Sequence, residues 1–116
     1  MSNNKQNLKI AIKALEDKKG EKISVIDISK VSVIADYFII ASGKNANQLR
    51  AMADEVEEKL GKEGIEPRQV EGYAAANWIL MDYRDFIIHI FNEEQRLYYD
   101  IERIWSDGKN IEIDSL

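Results

Sequence analysis

Leu8, Ala11, Ile12 and Leu15 fall at i, i+3, i+4 and i+7, the spacing of one helix face. They predict an amphipathic helix that Gly20 stops as its C′ residue. Residues 22–28, KISVIDI, are rich in β-branched side chains and predict a strand. Residues 31–35 predict a short turn or helical corner. Residues 37–42, YFIIAS, are apolar almost throughout, as in a strand covered on both faces. After Gly43, Asn45 and then Gln48 have the form of a capping box. The helix it opens carries an apolar stripe of Leu49, Met52, Ala53, Val56 and Leu60, with Asp54, Glu55, Glu57 and Glu58 mostly off it. Gly61 and Gly64 end that helix.

Pro67 opens a short strand running to Glu71, at a position where its missing N–H is tolerated. Two more strands lie between Trp78 and Asn92, too close together for anything but a hairpin. Asn92 and Gln95 repeat the capping pattern. A third helix carries Leu97, Tyr98, Ile101, Ile104 and Trp105 and closes at Gly108. The tail 109–116, KNIEIDSL, is expected to add a frayed strand or stay loose. The order is helix, strand, strand, helix, strand, strand, strand, helix. It predicts an α/β (α+β) domain with a mixed β-sheet of about five strands flanked by helices. The stretch 37–71 suits a parallel crossover.

The hairpin separates two kinds of face. With Tyr83 and Arg84 as the turn, Asp82 stands opposite Asp85, Leu80 opposite Ile87 and Trp78 opposite His89. Side chains alternate with period two, so these six share one face. The other face carries Ile79, Met81, Phe86 and Ile88 and is the better core face. The mixed face has an aromatic anchor and carboxylates, as a protein-docking surface does. The plainer alternatives are a packed Trp78–His89 cross-strand pair and aspartates that shape the turn. One histidine without cysteine or a second histidine makes no metal site.

Composition narrows the partners. The chain has 116 residues, enough for one domain over 1–116, with 45% hydrophobic and 32% charged residues. Its net charge of −5 disfavours direct binding of a phosphate backbone and suits a basic protein partner. Cysteine is absent, the first ten residues contain no apolar signal core, and no apolar run could span a bilayer, so a cytoplasmic location is expected.

Three motifs carry a resemblance. They are ADYFIIASGKNANQLRAMADEVEEKL at 35–60, then the Trp–Asp-Tyr–Asp–His-Ile-Phe block, then Tyr-Asp-Ile-Glu-Arg-Ile-Trp within EGYAAANWILMDYRDFIIHIFNEEQRLYYDIERIW at 71–105. Over most of residues 8–107 the chain resembles the ribosomal silencing factor, or Iojap-like, family. The resemblance implies a nucleotidyltransferase-like fold without catalysis or cofactor. It also implies a translational repressor that binds ribosomal protein fourteen of the large subunit. On that site it blocks joining of the small subunit and lowers translation under nutrient limitation. Family contacts map here onto Trp78, Met81, Asp82, Tyr83 and Asp85, and with Tyr73 and His89 these form the expected partner-binding set. Homodimerisation is a further family property. Many members have glycine where this chain has Arg84; if that turn position needs φ > 0, arginine costs roughly 1 kcal/mol.

Two other classes compete. A working nucleotidyltransferase needs Gly-Ser before a helix and two carboxylates two apart on a strand. Here Ser42-Gly43 reverses the order, Asp82 and Asp85 are three apart, Asp100 and Glu102 diverge on a helix, and Glu112 and Asp114 lie in the tail. No phosphate-cradling glycine loop is present. The expectation is a non-enzyme without metal. An oligomeric scaffold is the third class.

Overall fold

A computed structural model describes residues 4–116. Helix α1 (Asn4–Asp17) leads into strands β1 (Glu21–Asp27) and β2 (Tyr37–Gly43). Helix α2 (Ala46–Gly61), strand β3 (Gln69–Glu71) and the pair β4 (Trp78–Asp82) and β5 (Phe86–Asn92) follow. Two short helices, α3 (Glu93–Tyr99) and α4 (Ile101–Ile104), precede β6 (Lys109–Ile111) and a 3₁₀ turn, Ile113–Ser115.

The strands form one mixed sheet in the order β3-β4-β5-β2-β1-β6. β2 and β5 are the parallel pair, with Ile39 beside Ile88 and Ala41 beside Ile90. The other neighbours are antiparallel. The α2 crossover therefore does return to a strand parallel to β2, but β4 and β5 lie between that strand and β2. The sixth strand comes from the tail. Ile111 pairs with Val25, and Ile113 and Leu116 pack onto the main core.

β2 and β5 sit at the centre, and this explains their unbroken apolar runs: Phe38 to Gly43 and Phe86 to Phe91 are all buried. One face of the sheet is covered by α1 and α2. Leu8, Leu15, Leu49, Met52 and Leu60 meet Ile39, Ile79, Met81 and Ile88 there. Truncating one of these leucines would cost about 2–5 kcal/mol. The opposite face holds a smaller core of Ile26, Ile28, Phe38, Ile40, Ile87, Phe91 and Ile101.

Local chemistry explains the helix ends. Asn45 Oδ1 accepts the Gln48 N–H at 2.8 Å, and Asn92 Oδ1 accepts the Gln95 N–H at 2.8 Å, so both predicted caps form. At the end of α1 the left-handed position falls one residue early, on Lys19 at φ 68. Gly20 follows because a Cβ there would lie 2.9 Å from the Leu15 carbonyl. The predicted third helix breaks in two at Asp100, which adopts φ 48. The break turns Ile101 into the core and leaves Leu97 and Tyr98, expected on the buried stripe, in solvent.

α3 is held instead by a polar clasp. Arg96, the buried residue of α3, donates through Nη1 to Ser42 Oγ at 2.8 Å. Its Nε and Nη2 donate to the two oxygens of Glu102 at 3.1 and 2.8 Å. That bidentate pair joins α3 to α4 across the Asp100 break. It also holds Glu102 below the usual carboxylate range: the Arg96 bonds outweigh the opposing effect of burial.

Candidate functional site

The hairpin register differs from the expected one by two residues. Leu80 faces His89, Trp78 faces Phe91, and Asp82 faces Ile87. A two-residue slip preserves which side chains share a face, so the division into two faces stands. The turn is the reason for the slip. The Tyr83 N–H donates to the Phe86 carbonyl and the Asp85 N–H to the Tyr83 carbonyl, both at 2.9 Å. Arg84 bridges that tight bend at φ 74, the left-handed backbone that glycine takes without strain.

Asp82 organises this turn. It is buried, its Oδ1 accepts the Arg84 N–H at 2.8 Å, and its Oδ2 accepts from Arg68 Nε and Nη2 at 3.1 and 2.5 Å. Burial alone would raise its pKa, but the Arg68 and Arg84 bonds outweigh that and hold it below the usual carboxylate range. Because Asp82 faces Ile87, the opposed pair of aspartates does not occur. Asp85 is exposed and lends its carbonyl to the Asp36 N–H at 2.8 Å.

The expected partner-binding residues separate by burial. Met81 is fully enclosed in the core beneath α1 and α2. Tyr83 does not extend the surface at the turn: it is buried in that same core, stacked on Phe86 at 5.1 Å, and burial pushes its phenol up. Tyr73 is partly exposed, but its hydroxyl donates to Asp54 of α2 at 3.1 Å, on the side of the sheet away from Trp78. Arg50 of α2 also binds the Tyr73 and Ala74 carbonyls at 3.1 and 2.6 Å, which pins the 72–77 loop. Gly72 is required in that loop, since a Cβ would collide with the Trp78 carbonyl.

Trp78 and His89 do meet, on the second face. The indole Nε1–H donates to His89 Nδ1 at 3.1 Å, and Phe38 abuts the imidazole edge-on at 4.6 Å. His89 is only 4% exposed, and burial pushes its pKa down to about 4, so the ring is neutral at neutral pH. Trp78, by contrast, is half-buried and stacks on Phe91 at 5.0 Å.

Around this pair lies an open apolar hollow of about 360 Å³, walled by Ile34, Trp78, Leu80, Ile104 and Trp105 with His89 in its lining. Ile34 is 59% and Ile104 69% exposed, and Val31, Val33 and Tyr99 add further apolar surface among the neighbouring segments. Apolar surface gathered from a loop, a hairpin and a helix marks a contact surface. The sequence reading missed this basin. It took 31–35 as a plain corner and put Ile104 on a buried stripe. The signal it passed over was VSVI, an apolar tetrad in a loop.

The remaining polar residues serve the fold. Ser42, weighed above as half of a reversed Gly-Ser motif, has its hydroxyl bound by Arg96, and Glu102 is engaged by the same guanidinium. Among the described residues, no group of three or more His, Cys, Asp or Glu side chains is gathered as for a metal ion. No described helix is long and apolar enough to cross a membrane.

The profile of a family described as "Ribosomal silencing factor during starvation" matches residues 1–116, the whole chain. The chain belongs to the ribosomal silencing factor family. It is similar to Ribosomal silencing factor RsfS of Bacillus subtilis, with 37% identity over 112 residues, covering 97% of this chain and 95% of that one. The crystal structure of a Chromobacterium violaceum protein, 36% identical, superposes with a TM-score of 0.87 over 91% of this chain and 88% of that chain. A more distant relative, mouse "Mitochondrial assembly of ribosomal large subunit protein 1", is 28% identical over 105 residues; the match covers 88% of this chain and 46% of the mouse protein. Membership of the ribosomal silencing factor family makes this a ribosome-associated regulatory chain, and the surface to explain is the one around Trp78.

Proposed function

We propose that this protein binds the large ribosomal subunit in the cytoplasm, chiefly through ribosomal protein fourteen. Standing there, it sterically blocks joining of the small subunit and lowers translation under nutrient limitation. The single observation that carries this reading is the family match over the whole chain. The name of the mouse relative, which refers to the large subunit, favours that subunit over the small one. The exposed apolar basin supplies a contact surface, and the net charge of −5 suits a basic ribosomal protein.

Within this reading the proposed partner-binding residues take different parts. Trp78 and Asp85 reach the partner directly, and Tyr73 shapes the loop that leads into Trp78. Met81, Asp82, Tyr83 and His89 act from beneath by holding the hairpin rigid, which preorganises the surface. Co-sedimentation with purified large subunits at modest salt tests the proposal. The protein is expected in the large-subunit fraction, and subunit joining is expected to fall as it is added. Absence from that fraction would remove the reading.

A further inference from the structure

Among the described residues, two buried side-chain polar atoms have no hydrogen-bond partner: Tyr83 Oη and His89 Nε2. The first lies in the main core. The second belongs to a ring that lines the open basin. Since Nδ1 accepts the Trp78 indole proton, the proton of the neutral imidazole resides on Nε2. His89 therefore offers a donor in an apolar lining, and a buried donor left unmatched bears the full cost of its desolvation.

We propose that the basin between Trp78 and Trp105 receives an apolar side chain of the ribosomal partner, and that the same partner segment brings an oxygen acceptor to His89 Nε2–H. This inference rests on the large-subunit reading above and deepens it. The volume of about 360 Å³ is ample for one side chain. The exposed Ile34 and Ile104 form walls that a partner would dehydrate. Charge favours a basic partner over a second copy of this chain. Asp36 and Asp85, bonded backbone to backbone, place two carboxylates at the edge of this region. A second acidic copy would bring like charges together there, whereas a basic protein neutralises them. A backbone carbonyl next to the inserted side chain would satisfy the histidine. Docking would thus read both shape and one hydrogen bond, and a purely aliphatic knob would leave the donor unmatched.

The test uses the full chain and purified bacterial large subunits. Ile34→Glu and Ile104→Glu change exposed side chains and are expected to keep the wild-type melting profile. Each should weaken binding about tenfold or more. His89→Leu should weaken binding more than His89→Gln, whose amide restores an N–H near the Nε2 position. With isotope-labelled histidine and purified ribosomal protein fourteen, the Nε2–H resonance should move downfield and become protected from exchange. Folded glutamate variants that bind as well as wild type would overturn the proposal, as would an unmoved Nε2–H resonance at saturation. So would an Ile104→Glu variant that dissociates a wild-type dimer while keeping full affinity for the large subunit, because the basin would then belong to a second copy. If the wild-type chain itself fails to bind, the large-subunit reading falls first and this inference with it.

Discussion

The indole of Trp78 donates to Nδ1 of His89 at 3.1 Å, although the strand register sets Leu80, not Trp78, opposite that histidine. The bond is diagonal, between side chains on the same face, and long aromatic side chains span that separation readily. It ties the most enclosed polar ring of the second face to its half-exposed aromatic neighbour.

That bond gives stability a defined pH dependence. Folding lowers the His89 pKa from 6.5 to about 4 through burial. Between those values the unfolded chain binds more protons, so stability rises with pH across that window and is lost as pH falls through it. Protonation would also place a donor at Nδ1, against the indole N–H. Unfolding free energy from denaturant titration should fall by about 2 kcal/mol between pH 7 and pH 5. In His89→Leu most of that difference should vanish. An equal fall in both proteins would assign it to other groups.

The two hairpin aspartates should separate by measurement. Asp82→Ala removes the acceptor for the Arg84 N–H and the partner of Arg68, and should destabilise by about 1–3 kcal/mol. Asp85→Asn changes an exposed side chain and should leave the melting temperature within about 2 °C. It should instead lessen the salt sensitivity of the association rate with large subunits. A salt dependence like the parent's would confine Asp85 to the turn.

Arg84 holds a strained backbone at φ 74. Arg84→Gly should relieve it and raise stability by about 1 kcal/mol in thermal or denaturant unfolding. A loss of stability would show that the guanidinium, which helps keep Asp82 ionised, outweighs the strain.

The Arg96 clasp should govern the C-terminal helices. Arg96→Ala leaves Glu102 and Ser42 without their cation and should cost about 3 kcal/mol. Hydrogen exchange would localise the loss. Amides of 101–105 should exchange faster, while those of α2, on the other face of the sheet, change less. Uniform acceleration would mean that the clasp supports the whole fold.

Much of this architecture was legible in the chain. Leu8 to Leu15 and Leu49 to Leu60 mark their helix faces by spacing, Asn45 and Asn92 announce their caps, and YFIIAS reads as a central strand. The alternation from Trp78 to Asn92 correctly separates the core face of Ile79, Met81 and Ile88 from the face of Trp78 and His89. These are local properties: a residue's direction follows from its own backbone and its neighbours in sequence.

Tertiary structure decided the rest. A slip of two residues leaves every side chain on its face, so the alternation could not report the true register. The bend at Arg84 set it, together with the pairing of β5 along β2. Nor could alternation say which polar residues would be enclosed. His89 is buried because Phe38 and Phe91 close around it, and Ile104 is exposed because the chain breaks at Asp100. Burial depends on which distant segments arrive to cover a face, and spacing along one strand or helix carries no information about that.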